Sequence, residues 1–201
     1  YKRDLDSHMM KNTEWGSVAY LQHSTYGSQT SVRTNNNSSY ITGYAATVEP
    51  TNYLNQNSVV ASTTSNYSGI YDMSGGAWEY VMGYTTGATT VGGTSGITSL
   101  YSNFFSDSSY SKYWDRHTST VYSNYNNRIL GDATGEMGPF GSENGNKSSW
   151  YKDGAYFINS SGPWFARGAN CHGGTSSGTF VFSFSTGNGN NDMSYRVVLA
   201  P

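Results

Sequence analysis

The 201-residue chain has little cysteine and little proline, with Cys171 as its single thiol and four prolines in all. One thiol excludes an internal disulfide framework, a four-cysteine zinc site and a two-thiol redox centre within this chain. With so few prolines and no blocks of charge, the sequence shows no linker between domains. We therefore predict a single domain over residues 1–201.

Charge is scarce as well, because charged residues make up 12% of the chain and the formal net charge is -2. This composition offers no basic surface for nucleic acid or for an anionic membrane, and neither is expected as a partner. No apolar run reaches the roughly 20 residues of a membrane-spanning helix. The first residues, YKRD, include no initiator methionine and no signal-like apolar region. We therefore expect a processing product, the C-terminal part of a longer precursor.

One segment, residues 13–21, is typical of an amphipathic helix. Trp15, Val18 and Ala19 fall at helical spacing there, and Asn12 or Thr13 is the predicted N-cap. Gly27 is the predicted left-handed stop after this helix. A second, shorter helix is predicted over residues 50–54.

The C-terminal part of the chain favours strands instead. Residues 179–185 alternate, which predicts Phe180, Phe182 and Phe184 on one face of a strand. Residues 195–199 predict a second strand. Polar loops before and between the two strands would then flank one hairpin.

Three stretches together carry a family resemblance: NTEWGSVAY at residues 12–20, GIYDMSGGAWEY at residues 69–80, and Arg167-Gly168 followed by SYRVV at residues 194–198. In this order they resemble the formylglycine-generating enzyme family and its non-catalytic relatives. The resemblance spans roughly residues 9 to 200, and the N-terminal strands of the family would precede Tyr1. It implies an α+β fold of the C-type-lectin-like type, with a small antiparallel sheet, one or two helices and long ordered loops.

The resemblance also bears on catalysis and metals. The oxidases of this family resemble copper-thiolate catalysts that need two nearby cysteines, so with Cys171 alone we expect neither copper nor that activity. The family implies a structural calcium held by Gly75, Ala77 and Glu79. The alternative is that the carboxylates of this region pair with Arg167 or Arg196, since an unpaired buried carboxylate is costly.

Paired carboxylates for glycoside hydrolysis are a further alternative. The candidates are Asp115, Asp132, Glu136, Asp153 and Asp192. Nothing in the sequence places any two of them at the required separation. The four histidines show no metal-ligand spacing either, so the sequence favours a protein that is not an enzyme.

A binding role follows from the C-terminal region. In retroelement-diversified variable proteins, which this chain resembles, that region is the ligand-binding face. The predicted ligand-binding residues are Trp164, Asn170, Cys171, His172, Thr175, Ser176, Asn188, Asn190 and Asn191. Small polar and aromatic residues of these types are favoured in binding loops, although such loops are also common on extracellular β-rich proteins. Arg167 and Arg196 are predicted to hold the scaffold through bidentate hydrogen bonds to carboxylates or loop carbonyls.

The leading hypothesis is an extracellular adhesion or ligand-binding domain on a cell surface or virion, whose ligand is a protein or a carbohydrate. The alternative is a self-assembling surface or filament subunit, because the low charge permits packing against further copies. A third hypothesis is a residual oxidase that depends on Cys171.

Overall fold

The computed structural model describes residues 6–27, 62–66, 68–85, 90–91, 94–95, 105–118, 129–139, 147–170 and 173–200. Among these residues, the regular α-helix is α1 (Asn12–Gln22), and short 3-10 turns cover Ser108–Tyr113 and Gly174–Ser176. The strands are β1 (Asp6–Met9), β2 (Trp78–Thr85), β3 (Thr90–Val91), β4 (Thr94–Ser95), β5 (Asp115–His117), β6 (Trp164–Arg167), β7 (Phe182–Ser185), β8 (Met193–Tyr195) and β9 (Val197–Ala200). The predicted α+β class is confirmed for these residues. The helix predicted over residues 50–54 lies outside them.

Strand β2 organises the main sheet. It pairs antiparallel with β6, which pairs antiparallel with β7. Two short strands lie parallel to β2, β8 along its first half and β5 along its second half. Strands β1 and β9 form a separate antiparallel ribbon.

Helix α1 confirms the predicted helix, but its start differs from the prediction. The N-cap is Lys11, whose backbone N–H donates to Glu14 at 2.7 Å. The N–H of Thr13 donates to the carboxylate of Asp115 on β5 at 2.7 Å. Asn12 is already helical and buried, because its side chain bonds to other elements of the fold. Capping therefore comes from a carboxylate distant in sequence rather than from Asn12 or Thr13.

The end of the helix also differs from the prediction. The helix stops at Gln22 with His23 as its cap, and Gly27 instead closes a later turn by donating to Ser24 O at 3.1 Å. Trp15 and Ala19 on the predicted apolar face are fully buried, whereas Leu21 is 58% exposed. The helix thus packs through a narrow face.

The core lies between α1 and the inner face of the main sheet. Its largest fully buried apolar side chains are Trp15, Phe165, Phe180, Phe182, Ile158, Val81 and Val181. The indole N–H of Trp15 donates to Thr179 O at 2.9 Å, so the buried ring leaves its polar atom satisfied. Helix α1 approaches the turn at residues 131–132 so closely that a Cβ on Gly16 would lie 2.1 Å from Gly131 O.

The C-terminal strands correct two predictions. Phe180 precedes strand β7, and Phe184 is 45% exposed while Phe180 and Phe182 are buried, so the three rings do not share one buried face. The strand predicted over residues 195–199 divides at Arg196 into β8 and β9, which pair with β2 and β1 rather than with β7. No hairpin forms between β7 and β8, because β7 pairs with β6 and β8 pairs with β2 in the same sheet. The chain leaves this sheet only after β8, at Arg196, whose side chain bonds to Glu79. None of the helices in the described ranges is long and apolar enough to cross a membrane.

Candidate functional site

The predicted scaffold role of Arg196 is confirmed, because its guanidinium donates two hydrogen bonds to the carboxylate of Glu79 on β2. Its Nη2 donates to Glu79 Oε1 at 2.6 Å, and its Nε donates to Glu79 Oε2. A further bond from Nη2 reaches the main-chain oxygen of Asp72 at 2.9 Å. Burial raises the pKa of Glu79, while these bonds from Arg196 lower it; the net shift is upward. The pair ties the 72–79 segment to the junction of β8 and β9.

This pairing bears on the calcium site implied by the family resemblance. Both carboxylate oxygens of Glu79 already accept hydrogen bonds from a cation, Arg196. A calcium ion at Gly75, Ala77 and Glu79 would have to share that carboxylate with a positive charge. Arg196 therefore competes with calcium for the carboxylate of Glu79, and calcium binding stays a prediction. Among the described residues, no group of three or more His, Cys, Asp or Glu side chains is arranged to hold a metal.

Arg167 is the second scaffold arginine and is fully buried at the end of β6. It donates to the loop carbonyls of Asp132 and Ala133, each at 3.1 Å, and to Asn12 Oδ1 at 3.0 Å. Burial lowers the pKa of Arg167 to about 10, although the surrounding carboxylates act to raise it. The side chain therefore stays charged at neutral pH. The prediction of bidentate bonds to loop carbonyls is confirmed.

Local sequence did not indicate the carboxylate that completes this network. Asp132 accepts from Asn12 Nδ2 at 2.9 Å, and His117 Nε2 lies 3.2 Å from its Oδ2. All three side chains are fully buried. Only the Gly-flanked turn at residue 132 was visible in the sequence, and it carries no information about its distant partners.

The five carboxylates considered for hydrolysis all accept hydrogen bonds within the fold. Asp115 accepts from Thr13, Asp132 from Asn12 and Thr134, and Glu136 from Gly131 and Tyr20. Asp153 accepts from Ser149 and Phe180, and Asp192 accepts from Asn170. Burial raises the pKa of Asp153 to about 6, although its two hydrogen bonds oppose that shift. These contacts give each carboxylate a structural role.

The segment at residues 186–192, here named the asparagine loop, has its backbone fastened at both ends. The hydroxyl of Tyr80 donates to Asn188 O at 2.9 Å, and Gly187 N donates to Ser185 Oγ at 3.3 Å. At the other end, Trp78 N donates to Asp192 O at 2.8 Å. The side chains of Asn188, Asn190 and Asn191 project from this fixed backbone as exposed amides.

Asn170 joins the other predicted polar loop, the one that precedes residue 179, to the asparagine loop. Its Nδ2 donates to Asp192 Oδ2 at 3.1 Å, and its main-chain oxygen accepts from Ser177 Oγ at 2.8 Å. The two polar loops therefore meet, although no hairpin connects them. Asn170 is a half-buried bridge rather than a freely projecting side chain.

Four rings form an aromatic cluster where β6 begins, at the end opposite Arg167: Tyr84, Phe105, Trp114 and Trp164. The ring centroids of Tyr84 and Phe105 are 4.2 Å apart, and Tyr84 lies 5.7 Å from each tryptophan. The indole nitrogens of both tryptophans are buried and have no acceptor within the part of the chain that the structure describes. Buried indole N–H groups usually have a partner, and none of the described residues supplies one here.

The aromatic cluster and the asparagine loop lie on the same side of the sheet. Trp164 stands opposite Ser185 in the β6–β7 register, and directly opposed residues project to the same face. The Oγ of Ser185 is 2.6 Å from the hydroxyl of Tyr80, which reaches the loop. Tyr195, 65% exposed, stands beside Tyr80 in the β2–β8 register. We name the surface that carries Trp164, Ser185, Tyr80, Tyr195 and the asparagine loop the outer face.

The predicted binding residues thus fall into three groups, of which the structure describes two. Trp164 and the loop residues Asn188, Asn190 and Asn191 belong to the outer face, and Asn170 fastens it. Thr175 and Ser176 lie in the 3-10 turn that follows Asn170, with Ser176 exposed. Cys171 and His172 lie outside the described residues, so the structure does not test the hypothesis of an oxidase that depends on Cys171.

Sequence reasoning missed Tyr80, Tyr84, Phe105, Trp114 and Tyr195. The alternation of Trp78 and Tyr80 around the inward Glu79 was a usable signal for strand β2 and for the face on which Tyr80 lies. The other rings come from separate segments that only the fold brings together.

Comparison of the chain with known protein families, with curated proteins and with solved structures found no match.

Proposed function

We propose that this chain is a non-enzymatic, C-type-lectin-like domain that acts outside the cell, on a cell surface or a virion, and binds another protein through its outer face. The fastened asparagine loop is the observation that carries the proposal. A loop whose backbone is already fixed loses little conformational entropy on binding, so its exposed amides can hydrogen-bond a partner at low cost. Rigid aromatic rings beside it supply contact area in the same way.

A protein partner fits this surface better than a small molecule. The outer face runs from Trp164 past the asparagine loop to Tyr195, and the loop asparagines and Tyr195 are exposed. Mixed aromatic and neutral amide groups are typical of recognition by shape and hydrogen bonding. A carbohydrate remains the other class to be distinguished by experiment.

The test measures binding of the fluorescently labelled full chain to an array of extracellular proteins and to a glycan array. The site variant combines Asn188→Ala, Asn190→Ala and Asn191→Ala, and its matched control replaces an exposed asparagine elsewhere, Asn66→Ala. We expect spots on the protein array that the site variant loses and the control keeps, with unchanged circular dichroism for both. Equal binding by the site variant, or signal on glycans alone, would contradict the proposal.

Self-assembly is the second candidate, and the C-terminal strands favour it. Tyr195, Val197 and Leu199 project outward with exposures of 65%, 57% and 65%, and Met9 stands opposite Val197 in the β1–β9 register. An apolar stripe of this kind on a chain with a net charge of only -2 can pack against a second copy with little repulsion.

Sedimentation velocity over a range of concentrations tests this candidate. Self-association should be lost in a variant carrying Val197→Glu and Leu199→Glu, while Leu130→Glu, an exposed leucine distant from the stripe in the chain, keeps it. A monomer at every concentration would refute assembly and leave the binding role unaffected.

A further inference from the structure

The asparagine loop contains a sequence step that is chemically reactive in proteins, Asn188 followed by Gly189. Both residues are exposed. Within the described residues, no acceptor binds the backbone N–H of Gly189, and a Cβ built at Gly189 would meet nothing within 4 Å. The nitrogen of Gly189 is therefore unhindered and close in the chain to the side-chain amide of Asn188.

Tyr80 acts on the same peptide group. Its hydroxyl donates at 2.9 Å to the main-chain oxygen of Asn188, the carbonyl conjugated with the Gly189 nitrogen. When that nitrogen loses its proton, negative charge is shared with the carbonyl oxygen. A hydrogen bond to the charged form stabilises it, and such bonds are stronger than neutral ones. The hydroxyl of Ser185, 2.6 Å away, is the second hydrogen-bond partner of the Tyr80 hydroxyl.

We propose that Asn188 is a site of spontaneous deamidation, promoted by the hydrogen bond from Tyr80 to the Asn188–Gly189 peptide. The deprotonated Gly189 nitrogen attacks Cγ of Asn188, so that an N–Cγ bond forms. The Cγ–Nδ2 bond breaks, and the amide nitrogen leaves as ammonia after taking up a proton. Water then opens the succinimide ring at one of its two carbonyls and yields aspartate or isoaspartate.

The reaction converts a neutral amide of the loop into a carboxylate and, in the isoaspartate product, adds one methylene to the backbone. The modification is independent of the proposed function, whereas its effect on ligand binding rests on that function. On the outer face, a new charge beside Tyr80 and Ser185 would change both the electrostatics and the fastening of the loop.

The loop provides its own internal controls. Asn190 and Asn191 are equally exposed but are followed by Asn191 and Asp192, whose side chains hinder attack. In addition, the N–H of Asn191 is held by Oδ1 of Asn190 at 2.8 Å. Reaction at Asn188 alone is therefore expected.

The experiment incubates the full chain at mildly alkaline pH and follows the replacement of the side-chain amide by a carboxyl group with peptide mass spectrometry. Fragmentation separates Asn188 from Asn144, which precedes the other Asn–Gly step and lies outside the described residues. We expect the mass gain at Asn188 and its loss in Gly189→Ala, for which the fold has room. No gain at Asn188, or an equal gain at Asn190 and Asn191, would overturn the site.

Two further variants isolate the role of Tyr80. Tyr80→Phe removes the hydroxyl and should slow the reaction at Asn188 about tenfold, the usual value of one charge-assisted hydrogen bond. Ser185→Ala keeps the bond from Tyr80 to Asn188 and should react at close to the wild-type rate. A rate in Tyr80→Phe that equals or exceeds the wild-type rate would overturn the role assigned to Tyr80.

Discussion

The buried carboxyl of Asp153 predicts a stability that depends on pH in an unusual direction. Its pKa is about 6 in the folded chain against 3.8 as the ordinary value, because burial outweighs the hydrogen bonds from Ser149 and Phe180. The folded state therefore binds more protons than the unfolded state between these two values. The free energy of unfolding must fall as the pH rises through this window, and the loss is complete above pH 6.

The magnitude follows from the shift of about two pKa units. At about 1.4 kcal/mol per unit, the ionised Asp153 costs the folded protein about 3 kcal/mol above its folded pKa. Asp153→Asn cannot ionise, and its amide oxygen can still accept from the N–H of Phe180. The variant removes this dependence on pH, at a constant cost of about 1 kcal/mol for the altered bond with Ser149.

The assay is denaturant unfolding of wild type and Asp153→Asn at pH values from below 4 to 7. We expect the difference in unfolding free energy to shift by about 3 kcal/mol in favour of the variant as the pH rises across the window. Other titrating groups are present in both proteins and cancel in the difference. Asp107→Asn is the matched control, because the pKa of exposed Asp107 is lowered by Ser109 and its removal gives no shift of this sign. Parallel stability curves for wild type and Asp153→Asn would refute the reasoning.

Three further substitutions test the packing and the scaffold by denaturant unfolding. Trp15→Ala should cost about 3–5 kcal/mol, because it empties the centre of the core; a loss below about 1 kcal/mol would show that the ring is not packed as described. Gly16→Ala should cost more than about 2 kcal/mol, since its Cβ would collide with Gly131 O; an unchanged stability would place the helix farther from that turn. Glu79→Gln should cost about 3 kcal/mol by leaving the charge of Arg196 uncompensated. A double-mutant cycle with Arg196→Met should recover part of that loss, and additive losses would count against direct pairing.

Local patterns in the sequence were sufficient for several features. Helix α1 was predictable because Trp15, Val18 and Ala19 repeat with the period of a helix, and burial follows that period. The scaffold role of the arginines was predictable in kind, since a buried guanidinium requires carbonyl or carboxylate partners. The low charge and the exposed asparagines at residues 188–191 were visible directly.

The same patterns failed where contacts between distant segments compete with local ones. Asp115, distant in sequence, caps the helix that Asn12 was expected to cap, because Asn12 is drawn into the Arg167 network. Phe184 alternates correctly with Phe182, yet it lies where little covers the sheet and remains 45% exposed. Alternation gives the side of a strand on which a residue lies, but it does not say what covers that side.

Residue type and period were enough to predict the low charge of this protein and the approximate positions of its main helix and C-terminal strands, because both act over a few neighbouring residues. Which residues form the outer face depends instead on contacts between distant strands. Tyr80, Trp164 and Ser185 come from three strands, and strand pairing sets them on one side. Arg196 likewise finds Glu79 across 117 positions of chain. Such pairings depend on the global packing of the sheet, and no local property of the residues involved encodes them.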